Sequence, residues 1–189
     1  MSGMVHRLHP DDFRLKSKYG EIEGANVVDW PISYEELEPY YTLAEELVGI
    51  SGKADKHPFE PPRSRADFAQ PPTKENAVVK LFDKSCKSLD ITPLVTPRVV
   101  LSKDKPGRDA CYYSNFCGSY GCSSGAKGSS REALLKPALA TGNLTLLTNT
   151  YVKYLHTDKK DEVDYAVVVD TVTGKEKKIK GKIFVVAAQ

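Results

Sequence analysis

Along the first two-thirds of the chain apolar side chains return every three or four residues, and toward the end every two, so the pattern predicts helices first and strands afterwards. The first helix is expected over residues 34–48. Ser33 and Glu36 stand before it at capping-box spacing, and Leu37, Tyr40, Tyr41, Ala44, Leu47 and Val48 draw one apolar stripe along it. Gly49 is placed to close it, and Pro39 falls in the first two turns, where a missing amide is tolerated. A second amphipathic helix is expected from about Glu75 to Leu89, with Val78, Leu81, Phe82 and Cys86 on one side; Cys86 on that stripe reads as a packing thiol. A third, short helix opens at another capping-box pair, Ser129 and Glu132, and runs to Ala140 with Pro137 inside it.

The period-two segments are 144–148, 151–156, 165–169 and 178–186, with Thr173-Gly174 as a hairpin turn; residues 94–101 read as a further short strand. Residues 1–28 read as loop, and the Pro-rich stretch 51–73 as an extended connection. The closing run from Lys182 to Gln189 has the look of a strand covered on both faces in the middle of a parallel sheet. A chain seldom stops on such a strand, so the expectation is an interior fragment. Its class is α/β by origin and α+β as it stands, in three segments: a helical and loop-rich 1–110, a Cys/Gly loop with a short helix over 111–143, and a β-rich 144–189.

Composition narrows the function classes. The 189 residues are 40% hydrophobic and 28% charged with a net charge of +2, which suits a soluble globular domain and gives no basic surplus for nucleic acid. No stretch reaches the roughly 20 apolar residues of a membrane span, so no transmembrane segment is expected. The start of the chain lacks a signal-peptide core, so it reads as cytoplasmic, or as periplasmic if a signal precedes Met1.

Chemistry concentrates in one place. Cys111, Cys117 and Cys122 are three of the four cysteines, within twelve positions and interleaved with Gly, Ser and aromatic residues. Their spacing matches no paired-cysteine zinc pattern. Three thiolates suit an iron–sulfur cluster of the three-iron kind, but on spacing alone a disulfide or a compact turn of free thiols is the preferred account. The histidines at 6, 9, 57 and 156 are scattered, and the sequence holds no Gly-x-Ser-x-Gly, Gly-x-Gly-x-x-Gly or Walker loop. From residue chemistry alone the alternative is a non-catalytic, Cys-containing α+β module that binds a metal or a partner.

Three blocks in fixed order carry a resemblance: residues 29–41 (Asp-Trp-Pro-Ile-Ser-Tyr-Glu-Glu-Leu-Glu-Pro-Tyr-Tyr), the loop Cys117…Gly121-Cys122…Gly125-Ala126-Lys127, and residues 137–146 with Thr148-Asn149. Together they resemble the glucose–methanol–choline (GMC) oxidoreductases, in a branch similar to the bacterial sugar and gluconate dehydrogenase large subunits. The resemblance implies a Rossmann-like FAD-binding fold with substrate-domain material, here without the N-terminal βαβ unit and the C-terminal catalytic part. It implies hydride transfer from a CH–OH group of a sugar, polyol or sugar acid to FAD. By itself the chain is expected to be inactive.

Residue by residue, the resemblance places the main chain of Val152 against the adenine, and Ala187 and Ala188 in the segment packed beside the dinucleotide, where Gln189 departs from the family's usual Gly. It implies a candidate 3Fe-4S cluster on Cys111, Cys117 and Cys122, and a cytochrome or small-subunit partner for electron transfer.

Overall fold

The structure is a computed structural model that describes residues 3–55, 57, 59–114, 117 and 120–188. The chain divides into two compact units, Met1–Ala140 and Thr141–Gln189. Helices and irregular crossings make the first; a small antiparallel sheet makes the second.

In the first unit a 3-10 turn, Pro10–Arg14, runs into α1, Leu15–Tyr19, and these are followed by α2, Tyr34–Val48, and α3, Ala77–Ser88. Both ends of α2 follow from local chemistry. Ser33 Oγ accepts the Glu36 amide at 3.2 Å, and the Glu36 carboxylate accepts the Ser33 amide at 2.7 Å, so two orphan donors are satisfied at once. At the other end Gly49 turns left-handed at φ 80° and donates to Glu45 O at 2.9 Å. Leu101 Cδ2 occupies the space a Cβ would need there, so glycine is required twice over.

The burial of α2 differs from the expected stripe. Its inward positions are Tyr34, Glu38 and Glu45, while Tyr40 is 66% and Leu47 51% exposed. Arg7 and Arg63 arrive from other segments and pair with the two glutamates, so a charged face turns inward. Tyr34 completes that face with an edge-on contact to Phe13, whose ring also meets Trp30 edge-on at 5.3 Å between centroids. In α3, Asn76 Oδ1 caps the Val79 amide at 3.0 Å; Cys86 is buried as a free thiol, but Val78, Leu81 and Phe82 face outward.

Residues 94–101 form no regular strand. They serve instead as a crossing point of single bridges, Arg98 with Met4 and with Ser51, and Val100 with Lys127. Among the side chains at it, Leu101, Ala126 and Ser51 are almost fully buried. Gly128 passes so close to this crossing that a Cβ would stand 2.5 Å from Val48 Cγ1 and 2.6 Å from Val99 Cγ1. The Ser129 start is half a capping box: Ser129 Oγ accepts the Glu132 amide at 3.3 Å, but the Glu132 carboxylate pairs with Arg131 and Lys136. The chain then winds as a π turn, Arg131–Leu135, before α4, Lys136–Ala140. Pro137 cannot donate the bond that would hold an ordinary turn there.

The second unit is a meander of β1, Thr150–Thr157, β2, Val163–Asp170, and β3, Glu176–Lys180, in the order β1-β2-β3 with both pairings antiparallel. Ala166, Val167 and Val168 of the central strand are buried. The turns are tied by carboxylates: Asp158 Oδ1 accepts the amides of Lys160 and Glu162, and Asp170 Oδ1 accepts those of Val172 and Thr173.

Of the strands expected here, one is absent and one is cut short. Residues 144–148 alternate Leu and Thr yet pair with nothing regular, and the last strand stops at Lys180, leaving Ile183 and Val185 each 83% exposed. An alternating run becomes a strand only where a partner edge is offered, and none meets these runs among the described residues. The α+β expectation therefore holds, with antiparallel pairing in place of the parallel sheet read from residues 182–189.

Candidate functional site

Two places concentrate features that could serve a ligand: a cleft in the first unit that contains the cysteine loop, and the open edge of β1 in the second.

The cleft has a volume of ≈ 1480 Å³, and Cys111, Cys117 and Cys122 all line it, with Tyr113, Arg98 and Lys127 among the other lining residues. The loop is held by its own backbone. Asp109 donates to Ser124 O at 3.2 Å, Cys111 to Leu101 O at 2.9 Å, and Leu101 to Ala126 O at 3.0 Å, so the 109–111 and 124–126 stretches run side by side past Leu101. The Tyr112 hydroxyl bonds Ser123 Oγ across the gap. Beneath, the buried Arg108 guanidinium donates to Val48 O at 2.7 Å, Gly125 O at 3.0 Å and Ala126 O at 3.1 Å, fastening the loop to the end of α2.

Each sulfur is engaged separately. Cys111 Sγ accepts the Tyr113 amide at 3.3 Å, Cys117 Sγ donates to Ser114 O at 3.0 Å, and Cys122 Sγ accepts the Lys127 amide at 3.4 Å with Ser124 Oγ at 3.5 Å. Among the described residues no three His, Cys, Asp or Glu side chains gather so as to hold a metal ion. The iron–sulfur expectation for Cys111, Cys117 and Cys122 finds no support among the described residues: one cleft receives all three thiols, and each is engaged in its own local hydrogen bond. All four cysteines are free, so the disulfide alternative is not realised either. Burial pushes the Cys122 thiol up, and the Ser124 hydroxyl with the amides of Lys127, Ser124 and Ala126 more than offsets it, leaving its pKa below the ordinary thiol value.

At the β1 edge the geometry turns on register. The Thr171 amide donates to Asn149 O at 2.8 Å, which makes 149 and 171 a hydrogen-bonded pair of the ladder. Hydrogen-bonded and non-hydrogen-bonded pairs alternate in an antiparallel ladder, so Tyr151 with Val169 is bonded and Val152 with Val168 is not. The N–H and C=O of Val152 therefore point away from β2, toward an edge that no strand covers among the described residues. One outward donor beside one outward acceptor suits a planar heteroaromatic edge such as adenine. The register irregularity between Val152 and Tyr154 sits directly after this position, as bulges often do beside binding sites. Ala187 and Ala188 lie beyond β3 in an exposed, irregular segment, and Gln189 is outside the described residues.

The charged clasp on α2 escaped the sequence pattern. Arg7 donates to Glu38 at 2.7 Å, to Glu45 at 2.8 Å and 3.0 Å, and to Thr42 Oγ1 at 2.9 Å, while Arg63 grips Glu45 from the other side. Burial works to raise the Glu38 carboxyl, but the Arg7 bond, the Ser64 amide and Thr42 bring it down to about 2. Glu45 is lowered likewise, against its burial, by Arg7 and Arg63. The signal was available in the two-turn spacing of Glu38 and Glu45 on one helix face, which only distant arginines make sense of.

Residues 28–189 match the GMC oxidoreductase family. The chain is 30% identical to paromamine 6'-oxidase of Streptomyces fradiae over 98% of its length and 32% of that protein's. It is 32% identical to 2-methyl-1,2-propanediol dehydrogenase of Mycolicibacterium austroafricanum over 99% of its length and 32% of that protein's. To the gluconate 2-dehydrogenase flavoprotein of Pantoea cypripedii it is 26% identical over 80% of its length and 28% of that protein's. The chain spans about a third of the length of these curated relatives.

Proposed function

The chain belongs to the GMC oxidoreductase family, and on that premise we propose that it forms part of a flavoprotein oxidoreductase acting on CH–OH groups of a sugar, polyol or sugar acid. FAD would supply the hydride acceptor. The role proposed for this chain is cofactor holding: the outward N–H and C=O of Val152 on β1 read the adenine edge, and the small side chains of Ala187 and Ala188 let the backbone lie close to the dinucleotide. The observation that carries the reading is the Asn149–Thr171 register, which turns both main-chain groups of Val152 to the open edge. A sugar or polyol substrate is supported by the names of the relatives, among them a fructose dehydrogenase large subunit from Gluconobacter japonicus. An electron-transfer partner, a cytochrome or a small subunit, belongs to the same proposal.

Taken alone the chain is proposed to be inactive and to bind FAD weakly, because its sequence has no Gly-x-Gly-x-x-Gly turn to cradle the pyrophosphate. Titrating the isotopically labelled chain with FAD and following backbone amides by NMR tests this. Weak binding with the largest shift at the Val152 amide is expected. Absence of any shift along β1 at millimolar FAD, or turnover of sugars by the chain mixed with FAD and a dye acceptor, would sink the corresponding part.

A further inference from the structure

We propose that a pocket against the α2 clasp is a binding site for a small neutral molecule with one oxygen acceptor on a compact apolar body, the class to which short-chain and cyclic ketones belong. Neither Val152 nor the cysteine loop takes part, so the site stands or falls apart from the flavin reading.

Its signal is a donor left without an acceptor. Arg63 meets Glu45 end-on, Nη1 donating to one carboxylate oxygen at 3.1 Å and Nη2 to the other, which turns the Nε–H edge of the guanidinium away from that carboxylate. The Arg63 side chain is only 7% exposed, and among the described residues its Nε is buried with no hydrogen-bond partner. Arg7, on the same carboxylate, shows the opposite state, since its Nε, Nη1 and Nη2 all donate. A buried donor that makes no bond is unfavourable, so a molecule that brings an acceptor to Arg63 Nε gains what the protein itself does not supply.

The space for such a molecule is present. Arg63, Glu45 and Arg7 stand on the wall of a pocket of ≈ 150 Å³, whose other sides include Val5, Phe59, Phe68 and Pro97. That volume is about what a benzene-sized molecule occupies in an apolar cavity. The Arg63 guanidinium lies over the Phe68 ring, Cζ 3.9 Å from its centroid, so one face of the charged group is already covered by carbon and an apolar ligand body continues that surface. Charge then selects the class. Arg7 and Arg63 are set against Glu38, Glu45 and Glu60, two cations against three carboxylates around one small volume, so an anionic ligand would add a fourth negative charge. A cation would bring donors to a donor. Water answers the donor but not the apolar walls, which leaves a neutral acceptor on a hydrocarbon frame as the occupant that suits both.

The test varies the ligand while the chain stays as it is. The isotopically labelled chain is titrated with cyclopentanone and followed by NMR at the Arg63 Nε–H signal; cyclopentane and cyclopentanecarboxylate serve as the same ring without an acceptor and with a charge. A saturable shift of the Arg63 signal is expected with the ketone, with binding about tenfold weaker for cyclopentane, which lacks the hydrogen bond, and weaker also for the carboxylate. Val5→Phe, at a wall residue outside the clasp, fills the pocket and is expected to abolish the saturation while the Arg63 signal keeps its unliganded position. If that variant does not fold, the three probes decide in the unaltered chain. Equal binding of cyclopentanone and cyclopentane overturns the proposal, as does tightest binding of the carboxylate. So does undiminished ketone binding in a folded Val5→Phe chain, or an Arg63 Nε–H signal that shows only bound water and ignores millimolar ketone.

Discussion

The clasp on α2 and the meander of the second unit bury their interiors by opposite means. In the clasp, Arg7, Glu38, Glu45 and Arg63 are charged side chains exposed by 10% or less, each held by partners from a different stretch of chain. In the meander the buried groups are Ala166, Val167 and Val168, on a central strand paired along both edges with its neighbours in sequence. A buried ion network costs much desolvation and holds only while every member is present, whereas aliphatic burial fails by degrees. The first unit should therefore be brittle to single changes and to acid, and the second tolerant of both.

The sharpest way to break the contrast is Glu45→Gln, which keeps the shape and strands two guanidinium groups with one carboxylate. A loss of about 3–5 kcal/mol is expected from leaving a buried charge unpaired. The single Trp30, packed on Phe13 in the first unit, reports it by fluorescence in a urea titration. An effect below about 1 kcal/mol would show that the network is no more than surface pairing.

Acid should separate the units next. The Glu38 carboxyl stands at about 2 in the folded chain against an ordinary 4.5, so its stabilisation is complete above the ordinary value and disappears as pH falls toward 2. The Trp30 transition should move to lower urea across that window, while amide exchange of β2 changes little. Coincident loss of both signals would erase the distinction. A gentler probe is Val168→Ala in the central strand, expected to cost about 1–2 kcal/mol with the fold retained; unfolding of the sheet by this one change would make the meander as brittle as the clasp. Smallest of all, Lys153→Ala removes the exposed pair with Glu176 at 2.6 Å and should leave the thermal midpoint within experimental scatter.

How far the sequence could be read follows the same divide. The ends of α2 were legible because Ser33, Glu36 and Gly49 act on neighbours three or four residues away. Its buried face was not, since Arg7 pairs with residues 31 and 38 positions on, and the two-turn spacing of Glu38 and Glu45 gives a face without naming its partner. β1 and β2 were legible from alternation backed by adjacent partners, while residues 144–148 show the same alternation without a partner edge and stay irregular. For the site, the cysteine spacing put three thiols together, as the cleft they share bears out, but said nothing of the separate hydrogen bonds each one makes. Of the cations of that cleft, Arg98 lies in no motif, and Lys127 stands in the Gly125-Ala126-Lys127 block that says nothing of the cleft its side chain would line. Val152 came from resemblance alone; the direction of its main-chain groups depends on register parity, fixed by one bond between Asn149 and Thr171.

That parity has a further consequence. A ligand read through peptide groups makes no demand on the side chain above them, so Val152→Thr or Val152→Ile would leave recognition intact, and a scan of substitutions would pass over the position as neutral. What such a site cannot survive is a shift of one residue in the strand, which exchanges inward and outward peptide groups along the whole of β1 and turns its side chains to the opposite faces with no residue replaced. An insertion in the turn at Asp158, which joins β1 to β2, would be a more damaging lesion to the proposed cofactor reading than any replacement at the point of contact. The specificity of this edge is written in chain length between turns.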